Sequence, residues 1–522
     1  MKHSLLLLAA CLVLAAGCAV SPKGQVAVNP LTGTDIPDND VIRVGEDYYM
    51  VSTTMYFCPG APIMHSRDLV HWEIVSYIFD LIEDDDIYNL RDGKNAYGKG
   101  QWATTLRYHD GVFYALFVAN DQHKTYLYRT KDIVNGPWER NEIEGYFMHD
   151  ASLLFDGDRL WVVWGNGDLR LVELEPDGSA VKAGAEVRTI IESPREGWML
   201  RAEGSHFYHI GDYYYVLEID WPQGAPRLAT VWRSKSIEGP YESKVVLNGT
   251  LGGRDDGIAQ GPLIDTPAGD WYAIQFQDHG AVGRIPCIQP VTWTDGWPMM
   301  GESGVPLEEV TVNLPAAGRD YVWDSDEFDA DKLALIWQWN HKAPEGWSLT
   351  ERPGWLRLRA SKATGIADAR GTITQRTVAP RCISETLLDV SGMKPGDEAG
   401  LCAFQSHSGR IGVRIAPDGT RSVVLHESGE ALNDDILAVP IEGDLVWLRI
   451  RYVFTPQEQG EEPDTAFFGW SFDGENWNEA DFTLRMRFTL DYFTGYRSAL
   501  YDYATLEEGG IADFDWFHQQ VY

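Results

Sequence analysis

Apolar and polar positions along the first 300 residues fall into one repeating figure. Two or three apolar residues precede a turn of Gly, Asp or both, and an aromatic-rich stretch follows. The figure occurs five times: Val41-Ile42-Arg43 to Tyr48-Tyr49, Leu106-Arg107-Tyr108 to Phe113-Tyr114, Leu153-Leu154-Phe155 to Leu160-Trp161, Phe207-Tyr208 to Tyr213-Tyr214, and Leu263-Ile264 to Trp271-Tyr272. Each reads as a β-hairpin, with Gly and Asp supplying the turn. Three of them are followed by a second signature, as in Ser66-Arg67-Asp68-Leu69 to Trp72. The aromatic pairs recur every 47 to 65 residues or so, which suits a four-stranded blade with its loops. One blade cannot bury both of its faces, so five must close into a ring. The pattern predicts an all-β chain that opens with a five-bladed β-propeller over residues 29–305.

A Pro- and Gly-containing connector without period, residues 306–320, separates this region from one of different texture. Trp355-Leu356-Arg357-Leu358-Arg359 and Leu445-Val446-Trp447-Leu448-Arg449-Ile450-Arg451 alternate with period two, as half-exposed strands do. A β-sandwich is predicted over residues 321–522.

Residues 1–18 read as a targeting segment. Met1-Lys2-His3 is weakly positive, and the apolar run Leu5 to Ala16 is too short to span a bilayer as a mature helix. Its end, Leu14-Ala15-Ala16-Gly17-Cys18, resembles a bacterial lipoprotein cleavage site, so Cys18 is the expected lipidated residue. Ordinary cleavage near Ala19 is the alternative. The lipid would anchor the protein to a membrane facing the periplasm, or at the cell surface.

The formal net charge of −35 argues against nucleic acid or an anionic membrane surface as partner. It fits a protein that handles neutral ligands, and 20 Trp and 24 Tyr offer faces on which sugars stack. Cys58, Cys287, Cys382 and Cys402 show no C-x-x-C spacing for zinc or redox chemistry. They read as buried free thiols, with a Cys382–Cys402 pair as the alternative. Gly93 to Gly100 nearly spells a phosphate-binding loop but lacks the final Ser or Thr. His206 and His209 fall on opposite faces of one strand and make poor joint ligands.

Register along the repeats carries the candidate chemistry. Asp38 lies ten residues before Tyr48, Asp150 ten before Leu160, and Glu203 ten before Tyr213. The second repeat has Trp102-Ala103-Thr104 at that place, and the fifth has Gln260. Equivalent positions on innermost strands converge on a propeller axis, so the three acids should face one funnel. Two carboxylates flanking a scissile bond are the minimum for glycoside hydrolysis, one as acid and one activating water or attacking carbon. A third negative group beside an acid disfavours its charged form.

The segments around these acids resemble glycoside hydrolase family 43. Pro37-Asp38-Asn39-Asp40-Val41-Ile42-Arg43 is similar to the family's opening, His149-Asp150-Ala151-Ser152-Leu153 to its middle segment, and Arg201-Ala202-Glu203-Gly204 to its acid segment. The resemblance implies an inverting enzyme with Asp38 as general base, Glu203 as general acid and Asp150 as modulator. It places Phe57 and Trp102 as pocket-wall aromatics, Arg284 as a sugar-contacting arginine, and Gln260 where many relatives carry a His, sometimes over calcium. No metal or cofactor is assigned. Asp324, Glu327 and Asp513 are the remaining candidates for a structural calcium, against a reading as surface acids. The second region resembles the concanavalin-like domain carried by many such β-xylosidases and arabinofuranosidases.

The expected activity is exo-release of terminal α-L-arabinofuranosyl or β-D-xylosyl residues from hemicellulose or pectin fragments. The rivals are a non-catalytic sugar-binding lipoprotein and a retaining propeller hydrolase.

Overall fold

The computed structural model describes residues 24–428 and 435–522. The targeting segment, with Cys18, lies outside the described residues. Every named element is a β-strand except the short 3-10 turn Gly280–Val282.

Five four-stranded antiparallel sheets follow one another along the first region, each with its strands in chain order. We call them blades 1 to 5. Their first strands are Asp40–Val44, Thr105–His109, Ser152–Asp156, Trp198–Ile210 and Leu263–Asp265. The first strands of blades 1 to 4 pack side by side in that order, and that of blade 5 returns to blade 1. These strands are therefore the inner wall of the ring, and all five hairpins read from the sequence are present.

Two devices hold the ring shut. Gln25–Val28, ahead of blade 1, pairs with Glu309–Val312, beyond blade 5. The Asn29 side chain extends that seam, donating to the carbonyls of Ile288 and Leu307 at 2.8 Å each and accepting from the Ile288 N–H at 2.8 Å. At the inner wall, the Arg107 guanidinium of blade 2 donates to Asp40 of blade 1 (2.7 Å) and to Ser152 Oγ (2.8 Å) and the Leu153 carbonyl (2.7 Å) of blade 3. One planar cation thus ties three blades, which its fork of five donors makes possible.

The second region is a sandwich of a nine-stranded and a six-stranded sheet. Its larger sheet takes a strand from the propeller: Phe57–Cys58 pairs with Gln338–Asn340. Phe57 is accordingly no pocket-wall residue. It is fully buried between the two regions, with the Arg497 guanidinium 3.9 Å from its ring centre. The apolar cores interpenetrate likewise. Ala281, Val282 and Ile285 of blade 5 join the sandwich core, and Phe404, Tyr492 and Tyr501 of the sandwich join a propeller core.

The four cysteines are free and buried, as expected. The three acids weighed for calcium are each engaged elsewhere. Asp513 accepts from Arg352 and Arg357, Glu327 from His518, and Asp324 faces Arg319 at 3.2 Å.

Candidate active site

Asp38 and Asp150 occupy the same place in their blades, two residues ahead of the first strand, and Gln260 sits three ahead. All three adopt left-handed backbone, with φ of 52°, 48° and 57°. Asp is among the few residues that enter this region at modest cost. The conformation turns the chain sharply at the rim of the inner wall. In blade 4 the same turn is made inside one long strand, Trp198–Ile210, whose register slips at Leu200/Glu203 and again at Glu203/His206. These bulges re-aim a side chain without ending the strand. Asp220, buried on the neighbouring strand, fixes the kink: it accepts from the Ala202 N–H at 2.9 Å and from Thr230 Oγ1 at 2.6 Å. Glycine suits position 204, whose φ is 65° and where a Cβ would lie 2.5 Å from the Gln260 amide carbon and push that side chain aside.

The three acids meet. Asp38, Asp150, Gly204 and Gln260 line one small cleft, with Asp40 and His206 beside them. Glu203 joins Asp150 through His149, whose Nε2 lies 3.3 Å from Glu203 and 3.7 Å from Asp150. The carboxylates carry different partners. Asp38 accepts from Arg284 Nη1 at 2.7 Å. Asp150 accepts from the Gly204 N–H at 3.0 Å. Glu203 Oε2 takes Asn166 Nδ2 at 2.5 Å and lies 3.3 Å from His149 Nε2. Arg284 is itself braced by Asp278, whose Oδ1 is 3.3 Å from Nε. Burial works against the Arg284 charge, but Asp38 and Asp278 more than offset it and its pKa rises.

Asp150 is the least solvated of the three. Burial pushes its pKa up to about 7, and the charges of Glu203 and Asp38 add to the rise. His149 moves up as well. Burial disfavours its cation, yet Asp150 and Glu203 outweigh burial and hold it near 9. His149, Asp150 and Glu203 present donor atoms within 4.8 Å of one another, enough in number for a metal ion. The raised pKa values of His149 and Asp150 make the trio a proton-sharing cluster.

The pocket wall is built from both regions. Trp102 stands edge-on to His149 (5.8 Å between ring centres) and to Phe493 (5.7 Å). Phe493 comes from the sandwich, and the Arg284 guanidinium lies 5.0 Å from its ring centre. Of the residues expected at the site, Asp38, Asp150, Glu203, Trp102, Gln260 and Arg284 are brought together and Phe57 is not. Sequence reasoning assigned nothing to His149, Asn166 or Phe493. His149 was open to suspicion as the neighbour of Asp150, whereas Asn166 and Phe493 carry no local signal.

Residues 27–298, just over half of the chain, match the family model of the glycosyl hydrolases family 43. The chain belongs to glycosyl hydrolase family 43. It is therefore a glycoside hydrolase, and its second region matches the β-xylosidase C-terminal concanavalin A-like domain over residues 325–520. Among named relatives, a β-xylosidase from Formosa agariphila is 28% identical, covering 94% of this chain and 89% of its own. A non-reducing-end α-L-arabinofuranosidase from Bacteroides ovatus is 32% identical over 72% of each chain. Among solved structures, a bifunctional GH43-CE protein from Bacteroides eggerthii superposes with a TM-score of 0.88 at 41% identity. That match covers 96% of this chain, which spans 64% of the other protein's length.

Proposed function

We propose that this family 43 protein is an exo-acting, inverting hydrolase of terminal α-L-arabinofuranosyl or β-D-xylosyl residues in hemicellulose or pectin fragments. The observation that carries the reading is the convergence of Asp38, Asp150 and Glu203 from three blades, each with a different partner. Different partners leave different oxygens free on the three carboxyls, and hydrolysis with inversion needs one carboxyl to give a proton and another to activate water. Asp38, ion-paired to Arg284, is suited to activate water as general base. Glu203 is the general acid. Its Oε2 is taken by Asn166 and His149, which leaves Oε1 to pass the proton to the leaving oxygen. Asp150, wedged beside Glu203, modulates that proton and orients the sugar. Trp102, Phe493, Arg284 and Gln260 enclose the glycone.

Relatives named β-xylosidase and α-L-arabinofuranosidase support both sugars. Aryl α-L-arabinofuranoside and aryl β-D-xyloside, assayed on one preparation, rank them, and NMR of fresh product reads the anomer. We expect turnover of at least one with inverted product, and loss of about 10²–10⁴-fold in Glu203→Gln, the usual worth of a general acid. Retained configuration would assign a nucleophile instead, and an inactive wild type would leave only sugar binding.

Lipid attachment at Cys18 is part of the proposal, supported by the small residues Ala15-Ala16-Gly17 before it. Cys18→Ala should move the protein from the membrane fraction to the soluble one. An unchanged distribution refutes the anchor.

A further inference from the structure

Three residues before Asp38, a carboxylate is buried that the reaction does not use. Asp35 is 6% exposed and lies where the propeller meets the sandwich. Its two oxygens point to different regions of the chain. Oδ1 accepts the backbone N–H of Arg284 in blade 5 at 2.7 Å. Oδ2 accepts the backbone N–H of Gly495 in the sandwich at 2.9 Å. Gly495 follows Phe493 by two residues. The backbone around Asp35 is held just as firmly: the Ile36 N–H donates to the Arg284 carbonyl at 2.8 Å, and Arg376 Nε donates to the Asp35 carbonyl at 3.0 Å. The approach is close enough to require glycine on both sides. A Cβ at Gly283 would lie 2.2 Å from Asp35 Oδ1, and one at Gly495 would lie 2.0 Å from the Val282 carbonyl.

Burying a charged carboxylate is costly unless it is hydrogen-bonded, and each of these bonds fixes a group at the pocket. Arg284 extends its guanidinium from the held backbone to Asp38, and Phe493 lies against that guanidinium. We propose that Asp35 is a positioning residue for the glycosidase reaction: one carboxylate locks the Arg284 backbone and the Phe493 loop together, so that the sandwich sets the wall facing the Asp38–Arg284 pair. The proposal rests on the hydrolase reading given above. It makes the sandwich a working part of the active site through a residue that never touches sugar.

Asp35→Asn tests this with almost no change of volume. The amide keeps one acceptor and turns an N–H donor toward the other backbone N–H, so one of the two tethers fails. Displacing pocket groups by about 1 Å costs on the order of 10²-fold in rate, and we expect that loss in kcat/KM on the preferred aryl pentoside. Arg284 keeps its second backbone bond, from the Ile36 N–H to its carbonyl, and its side-chain bond to Asp38. The tether that gives way is thus the one to Gly495, and the loss must pass through Phe493. In a Phe493→Ala background, Asp35→Asn should therefore cost less than about threefold more, the coupling that a double-mutant cycle isolates. Equal cost in both backgrounds would reduce Asp35 to a stability role and overturn the proposal. Gly495→Ala supplies a second route should Asp35→Asn fold poorly. Its methyl pushes the loop away with Asp35 intact, and its loss should likewise vanish when Phe493 is absent. Wild-type turnover separates the two readings: without it the hydrolase reading fails, and with it an additive cycle sinks only the positioning role.

Discussion

His149 stands between two acids that the reaction needs in different states. Its Nε2 lies 3.3 Å from Glu203 and 3.7 Å from Asp150, while Asp38 contributes from across the pocket. With its pKa raised from 6.5 to about 9, the imidazole is cationic at neutral pH. Asp150, raised from 3.8 to about 7, keeps part of its population neutral there. Both shifts have one sign: the folded site holds protons that the unfolded chain has already released. The stability from His149 is therefore complete below about pH 6.5 and is lost as pH rises through about 9. That from Asp150 is complete below about pH 3.8 and is lost as pH rises through about 7. The melting temperature should accordingly fall between about pH 6 and about pH 9.5, and fall less in His149→Gln, which cannot take up the proton. Parallel declines in the two proteins would show that His149 does not titrate against the acids.

At the scale of strands, the five hairpins were legible because burying one face of a strand forces an alternation, and a tight turn demands Gly or Asp. The acids were legible for a related reason. Asp38 and Asp150 stand at one backbone position, a left-handed residue before an inner strand, and a repeated position leaves a repeated spacing. Glu203 shares the spacing although its blade makes the turn differently, through a bulged strand braced by Asp220. That difference left no trace in the residue count. Phe57 was misplaced because an aromatic beside Pro and Gly reads alike on a pocket rim and under another domain. Only the strand it adds to the sandwich sheet decides the matter, and its partner Asn340 is 283 residues away in sequence. Phe493 and Asp35 were missed on the same ground. Their importance lies in long-range contact, which periodicity does not record.

For the molecule as a whole, those long-range contacts decide how it unfolds. The propeller and the sandwich share a sheet, two apolar cores and the Asp35 tether. Separate domains melt separately when the interface between them resembles a transient contact, and together when it is large and hydrophobic. Here the interface is of the second kind. Tyr56, Phe57, Phe404 and Tyr501 lie in it with 1% exposure or less, and burying each such side chain contributes about 1.5–3 kcal/mol. Ending the chain near residue 320 keeps the closing strand Glu309–Val312 but would expose Tyr56 and Phe57 and remove Phe493 from the pocket. Calorimetry of the full chain should show a single transition for both regions. A propeller ending near residue 320 should be insoluble, or soluble and without turnover. Two resolved transitions, or an active isolated propeller, would mean that the sandwich is an attachment; the shared cores, and Phe493 against Arg284, argue instead that it is part of the active-site wall.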